Sequence, residues 1–349
     1  MTKETSQKIK NMGLVCALFV VSIHIGWHED ESQLLWWGRQ LIKGGIAGIA
    51  VPFFFVVSGY FLAAHFDEDG WWKREVGKRI KSLVVPFYLW TIIYILATIP
   101  LSVIADQIAH RPFGTSILLG NSWLRRFGLD LCDYPTLVPL WYVRCLFLFV
   151  LTGASFKWGV TKAKWWWLSA VFIVFAILSG VFDATAENER PLAVLFLSRG
   201  YSLSGVFYFS VGVFLQRFGF RRLSDKMAYA FLGIGLVLLG VKVGFLHAGY
   251  GKISVWFNSF ITPFLLYSIY HFMPTKAWPN WLTSCAFPIF LMHSIALSYF
   301  GIALKHIPIV CVEAQTLIQF AGGAAIPIAV AVILRRFFPK TAGVLFGGR

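Results

Sequence analysis

His24 ends an apolar run, Leu14-Val15-Cys16-Ala17-Leu18-Phe19-Val20-Val21-Ser22-Ile23-His24. An imidazole titrates near neutrality, so there it can take a proton from a hydroxyl and later return one, as a general base does in group transfer. The same placement suits a histidine at a membrane interface, satisfied by water or a backbone carbonyl. His28 follows one helical turn later, and the two could grip a metal, but no third ligand announces itself and no metal is expected. His293, in Pro288-Ile289-Phe290-Leu291-Met292-His293-Ser294, lies deeper in its own apolar run, where an imidazole must hydrogen-bond something. Glue between helices and a second catalytic or substrate-binding group are both open to it.

Three further groups could do chemistry. Arg144, in Leu140-Trp141-Tyr142-Val143-Arg144, either reaches out to water or holds an anion or carboxylate. Arg79, in Lys78-Arg79-Ile80-Lys81-Ser82, offers a guanidinium fork suited to phosphate, although basic residues beside a span also serve simply to orient it. Ser58-Gly59-Tyr60 follows a wall of phenylalanine in Val51-Pro52-Phe53-Phe54-Phe55-Val56-Val57. The Ser-Gly pair lets two helices approach closely, which alone would justify it, and Tyr60 can offer a hydroxyl across a bundle. His65, His271 and His247 fall near span ends, where they are expected to reach the headgroups.

Such groups need elements to position them, and the composition says which. The chain has 349 residues, 58% apolar and 13% charged, with the apolar residues in long blocks. Blocks of ~18 or more cross a hydrocarbon core about 30 Å thick as helices. The expected fold is therefore all-α, a polytopic transmembrane bundle of about ten spans. These cover residues 11–27, 44–65, 83–105, 139–156, 165–182, 201–215, 227–247, 254–272, 281–302 and 314–334. A membrane β-barrel would need short alternating segments instead.

The net charge of +15 does not imply nucleic acid, because the Lys and Arg cluster between spans. Their bias places both termini in the cytoplasm. Trp36-Trp37, Trp71-Trp72 and Trp165-Trp166-Trp167 fall at span ends, where indoles prefer the headgroup layer. Residues 1–349 read as one membrane domain with no appended soluble domain and a long outer loop at about 106–138. The first span lacks a small-residue cleavage site and is expected to be retained. Cys16, Cys145 and Cys285 behave as small apolar residues, while Cys132 and Cys311 are candidates to pair outside the membrane.

Several of these segments, in this order, resemble the bacterial integral-membrane acyltransferase 3 family, which moves acyl groups onto surface sugars and other acceptors. They are Val20-Val21-Ser22-Ile23-His24, Pro52 to Leu62, the basic lead Lys78 to Phe87, Pro139 to Arg144, and Pro288 to His293. The resemblance implies that His24 is the catalytic histidine, that Ser58-Gly59-Tyr60 lies by the acyl pocket, and that Arg79 serves donor binding or architecture; Tyr60 or Ser58 could then donate to a developing oxyanion. One position departs: a basic residue is common eleven places before that histidine, and here Gly13 stands there, with Lys10 a possible substitute.

The implied reaction is O-acylation, most simply O-acetylation, of a hydroxyl on a cell-envelope polysaccharide or its lipid-linked precursor. Acyl-CoA, most simply acetyl-CoA, would be the donor and the bacterial inner membrane the location. Arg79, Arg144 and His293 would be the substrate-binding residues and membrane lipids the surroundings. A transporter or exporter whose intramembrane His and Arg line a path is the rival reading.

Overall fold

The computed structural model describes residues 2–25, 32–43, 45–109, 137–184, 203–219, 223–305 and 311–348. Among them there is helix and no strand. The elements are α1 (Lys3–His24), α2 (Gln33–Ile42), a 3-10 turn (Ile46–Ile49), α3 (Ala50–Ala63), α4 (Trp71–Arg79), a π-turn (Ile80–Val84) and α5 (Val85–Ala109). After the 3-10 turn Val138–Leu140 come α6 (Trp141–Leu151), α7 (Gly153–Trp158), a second π-turn (Gly159–Ala163), α8 (Trp165–Ala184) and α9 (Leu203–Phe218). The chain continues through α10 (Asp225–His247), α11 (Gly251–Phe272), α12 (Asn280–Thr283), α13 (Ala286–Lys305), α14 (Val312–Phe337) and α15 (Pro339–Leu345). Most of the loop expected at about 106–138, together with His28 and Cys132, lies outside the described residues.

Each segment read as a span contains helix, but the helices do not all qualify as crossings. Among the described residues, five stretches are long and apolar enough: Gln33–Ala63, Trp71–Ala97, Asp225–His247, Ala286–Leu304 and Val312–Phe337. The fourth expected span, 139–156, is not one straight helix. Val138–Leu151 and Gly153–Ala163 meet at 67° and make a sixth stretch only if counted together. The break falls at Gly153, where an added Cβ would stand 3.0 Å from the Trp71 ring.

The helix α1 runs through the interior and packs on α3, α13 and α14. It starts eight residues before Asn11, because Thr2 caps it by accepting from the Thr5 amide at 3.2 Å, so charged residues outside the apolar run still join the helix. Asn11 is fully buried and ties α1 to the segment before α12. Its amide donates to the carbonyls of Pro274 (3.0 Å) and Lys276 (2.9 Å). In an apolar medium such satisfied polar groups hold helices together without a hydrophobic driving force.

The tightest crossing joins α3 to α9. A Cβ at Gly59 would lie 2.1 Å from the Phe209 carbonyl oxygen, and one at Gly212 would lie 1.9 Å from that of Val56. Backbone therefore meets backbone, and the glycine of the Ser-Gly-Tyr step is a packing residue. Because the obstacle is main chain, no rotamer change relieves it. Gly59→Ala and Gly212→Ala should each cost about 1–3 kcal/mol or more. Gly240→Ala, with open space around it, should leave the melting temperature of the detergent-solubilised protein unchanged. Equal melting temperatures for all three variants would refute this account of the crossing.

Candidate functional site

Two cavities lie at opposite ends of α1. The first, about 340 Å³, sits at its C-terminal end and is walled by His24, Tyr94, Ser294, Ser298 and Gln319, with Pro139 and Leu297 among its apolar members. Polar groups dominate it although four of these five residues stand in apolar helices. His24 is exposed into this space. Behind it lies His293, with no exposure at all, the two ring centroids 5.0 Å apart and the planes tilted by 43°.

The chemistry of His293 follows from its neighbours. Its Nδ1 is 2.8 Å from the Phe290 carbonyl oxygen and 3.1 Å from that of Ile289. Both are acceptors, so Nδ1 carries the hydrogen and donates, and a neutral ring then keeps a lone pair on Nε2. Ser294 Oγ stands 3.5 Å from that Nε2, a long contact. A fixed ring of one tautomer thus backs the mobile-proton candidate.

A second layer continues from His293. Phe290 lies 6.2 Å from it and 5.4 Å from Tyr142, whose hydroxyl is 3.4 Å from Ser58 Oγ. Ser58 is therefore joined to the two histidines through rings rather than by direct contact. Arg144 leaves α6 two residues after Tyr142, about 200° further round the helix, so it points away from the Ser58 side. At 1% exposure it heads the fully buried side chains by size.

Tyr60 belongs to the other cavity. This space, about 310 Å³, lies between α1, α3, α9 and α11, with Tyr60, Tyr267, Tyr270 and Thr5 as its polar members and Phe53, Val56, Phe207 and Leu215 among the apolar ones. Ile9, which also lines it, is fifteen residues from His24, or about 22 Å along a helix. Ser58 and Tyr60, adjacent in the motif, therefore do not act on one point.

Arg79 stands apart again, at the end of α4 just before the π-turn. Its Nη2 is 3.5 Å from Glu75, a carboxylate with 1% exposure that Lys78 also approaches at 2.8 Å. Its buried Nε has no hydrogen-bond partner among the described residues. The loop before α4 is braced around this cluster: Lys157 donates to the Phe66 carbonyl, Arg217 pairs with Asp67 and Arg74 with Glu68. The hydrogen bond from His65 and then the Arg74 charge hold the Glu68 carboxyl below the usual carboxylate range.

Three other polar groups that stand out in the spans have structural partners. Lys242 donates to Asn258 at 2.7 Å, and His247 packs on Trp36 and Trp37. His271, expected to reach the headgroups, is instead buried and bonded to Asp225 at 2.8 Å. Cys311 is an exposed free thiol. Sequence reasoning did not single out Tyr94, Tyr142, Ser294, Ser298, Gln319 or Glu75. The available signals were a serine at each of two successive turns after His293, a second amide four residues after Gln315 in the apolar part of α14, and an acid four residues before Arg79.

Two curated proteins are similar to the chain. It is 27% identical over 258 residues to a serine/alanine racemase of Enterococcus gallinarum, covering 68% of this chain and 34% of that protein. It is 24% identical over 217 residues to an amino-acid racemase of Enterococcus faecalis, covering 60% of this chain and 27% of the other. The chain thus matches about a third of the length of these relatives. No solved structure matches it. Residues 10–336 match the acyltransferase domain, nearly the whole sequence, and span His24, Ser58, Tyr60, Arg79, Arg144 and His293: the chain belongs to the acyltransferase 3 family.

Proposed function

We propose that the protein is a membrane acyltransferase that acylates a hydroxyl at the His24 cavity. The observation that carries this reading is the pairing of His24, open to a polar cavity, with a sealed His293 of defined tautomer. The hydroxyl oxygen of the acceptor forms a bond to the thioester carbonyl carbon as its proton passes to His24. The carbon–sulfur bond then breaks, and the leaving thiolate takes a proton back. His293 does not touch the acceptor; it positions the His24 ring.

The donor is an acyl-CoA, most simply acetyl-CoA, and the acceptor a hydroxyl of an envelope glycan or its lipid-linked precursor in the bacterial inner membrane. Ten spans with both termini cytoplasmic, the arrangement the charge bias favours, put the His24 cavity at the outer face and Arg79 at the inner one. There the Arg79 fork, held on one side by Glu75, is suited to a coenzyme A phosphate. Tyr60 lines the apolar cavity beside the donor's route rather than an oxyanion hole shared with His24. Ser58 and Tyr142 supply the hydroxyls that stand closer to the histidines.

A second reading, transport of a small molecule, is favoured by the helix pair broken by 67° and by the sealed Arg144. The racemase names of the relatives make serine or alanine the cargo to test.

Purified protein given acetyl-labelled acetyl-CoA and isolated envelope glycan should form labelled ester. His24→Ala should lower the rate by about 10²–10⁴, the usual worth of a general base, without changing assembly. Full transfer by that variant removes His24 from the mechanism. Uptake of labelled serine into proteoliposomes with no transfer selects the second reading. Arg79→Ala should raise KM for acetyl-CoA about tenfold or more and leave KM for the acceptor alone, with Arg79→Lys intermediate, since a point charge replaces only part of a fork. An unchanged donor KM makes Arg79 purely structural.

A further inference from the structure

We infer that Gln319, together with Ser298, holds the acceptor in the His24 cavity and so selects which of its hydroxyls is presented to His24. This deepens the acyl-transfer reading, on which it rests only for calling the bound molecule an acceptor.

Gln319 stands in Thr316-Leu317-Ile318-Gln319-Phe320-Ala321-Gly322-Gly323, an apolar stretch of a helix long enough to cross the membrane. An amide in such a helix is costly unless it faces polar space or a partner. It faces the His24 cavity. Among the described residues its amide makes no hydrogen bond, so its donor and acceptor are both available to a molecule in that space.

The neighbouring helix is built around the amide. Gly301 on α13 lies beside it, and a Cβ there would stand 3.1 Å from Gln319 Nε2. Any larger residue at Gly301 would press the amide away. Ser298, one turn before Gly301 on the same helix, gives its hydroxyl hydrogen to the Ser294 carbonyl at 2.9 Å. Its oxygen is left to accept. The next residue, Tyr299, donates to the Ala97 carbonyl at 2.5 Å and fixes α13 against α5, which brings Tyr94 to the same cavity. The wall is therefore preorganised by contacts that do not themselves enter the cavity.

These groups match a particular chemistry. A carboxamide presents a donor and an acceptor side by side, and two neighbouring hydroxyls present the complementary pair. With one of them held by Gln319 and Ser298, the adjacent oxygen is the one offered to His24. The wall thereby selects which of the acceptor's hydroxyls reacts.

The test uses purified full-length protein in detergent and methyl β-glucopyranoside with its monodeoxy analogues as probes. Binding is read by saturation-transfer NMR and transfer by label from acetyl-CoA. The intact protein should bind the glycoside and prefer it over at least one monodeoxy form. Gln319→Leu should weaken binding about tenfold, one hydrogen-bonding group's worth, and erase that preference. Gln319→Glu keeps the shape and the acceptor but loses the donor, and should weaken binding less while shifting which analogue is preferred. Gly301→Ala should weaken binding a few-fold with Gln319 intact. Variants are compared only where melting temperature and elution volume match the parent.

Glycoside binding that ignores both Gln319 variants, or no binding by the parent protein, overturns the inference and leaves the acyl-transfer reading standing on the envelope-glycan assay. Binding that depends on Gln319 upholds the inference as a recognition site whether or not ester forms on the glycoside, and the envelope-glycan assay alone then decides the acyl-transfer reading.

Discussion

An imidazole sealed from solvent must commit its ring hydrogen, and His293 gives it to the carbonyls of Phe290 and Ile289 one turn back on its own helix. This single local arrangement fixes the ring's orientation and leaves Nε2 as its remaining acceptor. Since His24 is packed against that ring at 5.0 Å, its position is inherited from α13. The interior place of α1 then matters for a second reason. Asn11 latches one end of the helix to the backbone before α12, so the other end cannot slide relative to the element that carries His293. In a bundle without a hydrophobic drive between helices, such polar ties and close glycine crossings set the geometry.

The α3–α9 crossing does the same for the other half of the molecule. Gly59 and Gly212 bring main chain to main chain, which presses Phe55 and Phe149 together with Phe209 and fixes where Ser58 and Tyr60 leave α3. Two residues apart on a helix means nearly opposite faces. Ser58 therefore meets Tyr142, while Tyr60 lines the apolar cavity. One short motif serves two places.

The helical class and the in-span chemistry were legible because apolar blocks and lone ionisable groups are one-dimensional signals. His24, His293 and Arg144 stand out in sequence for the same reason that they are costly in a bilayer. Their grouping was not legible: the contact between His24 and His293 joins residues far apart in the chain, and no periodicity encodes it. Helix ends were misjudged where hydropathy and helix formation part company, as at Lys3, where a threonine cap extends α1 beyond its apolar run. The fourth span looked continuous because Thr152 and Gly153 do not break a hydropathy pattern, although Trp71 packing turns the chain there. Glu75 went unnoticed since its carboxylate becomes informative only when seen buried between Lys78 and Arg79.

Separation of the two cavities is the constraint any mechanism must meet. They stand about 22 Å apart along α1, and the basic cluster of Arg79, Lys78 and Glu75 belongs with neither polar wall. With the proposed donor held at Arg79 and transfer at His24, the reactive carbonyl would have to travel between helices, which calls for a narrow donor arm and a dry path. The aromatic chain from Phe54 and Phe55 through Tyr142 to Phe290 runs in that direction and ends at His293. Under the proposed transfer, rings of this kind would exclude water from a thioester, with the Ser58 and Tyr142 hydroxyls left to orient it. A polar cavity at one end, an apolar one near the other and an aromatic seam between them are the features that the proposed transfer would have to connect.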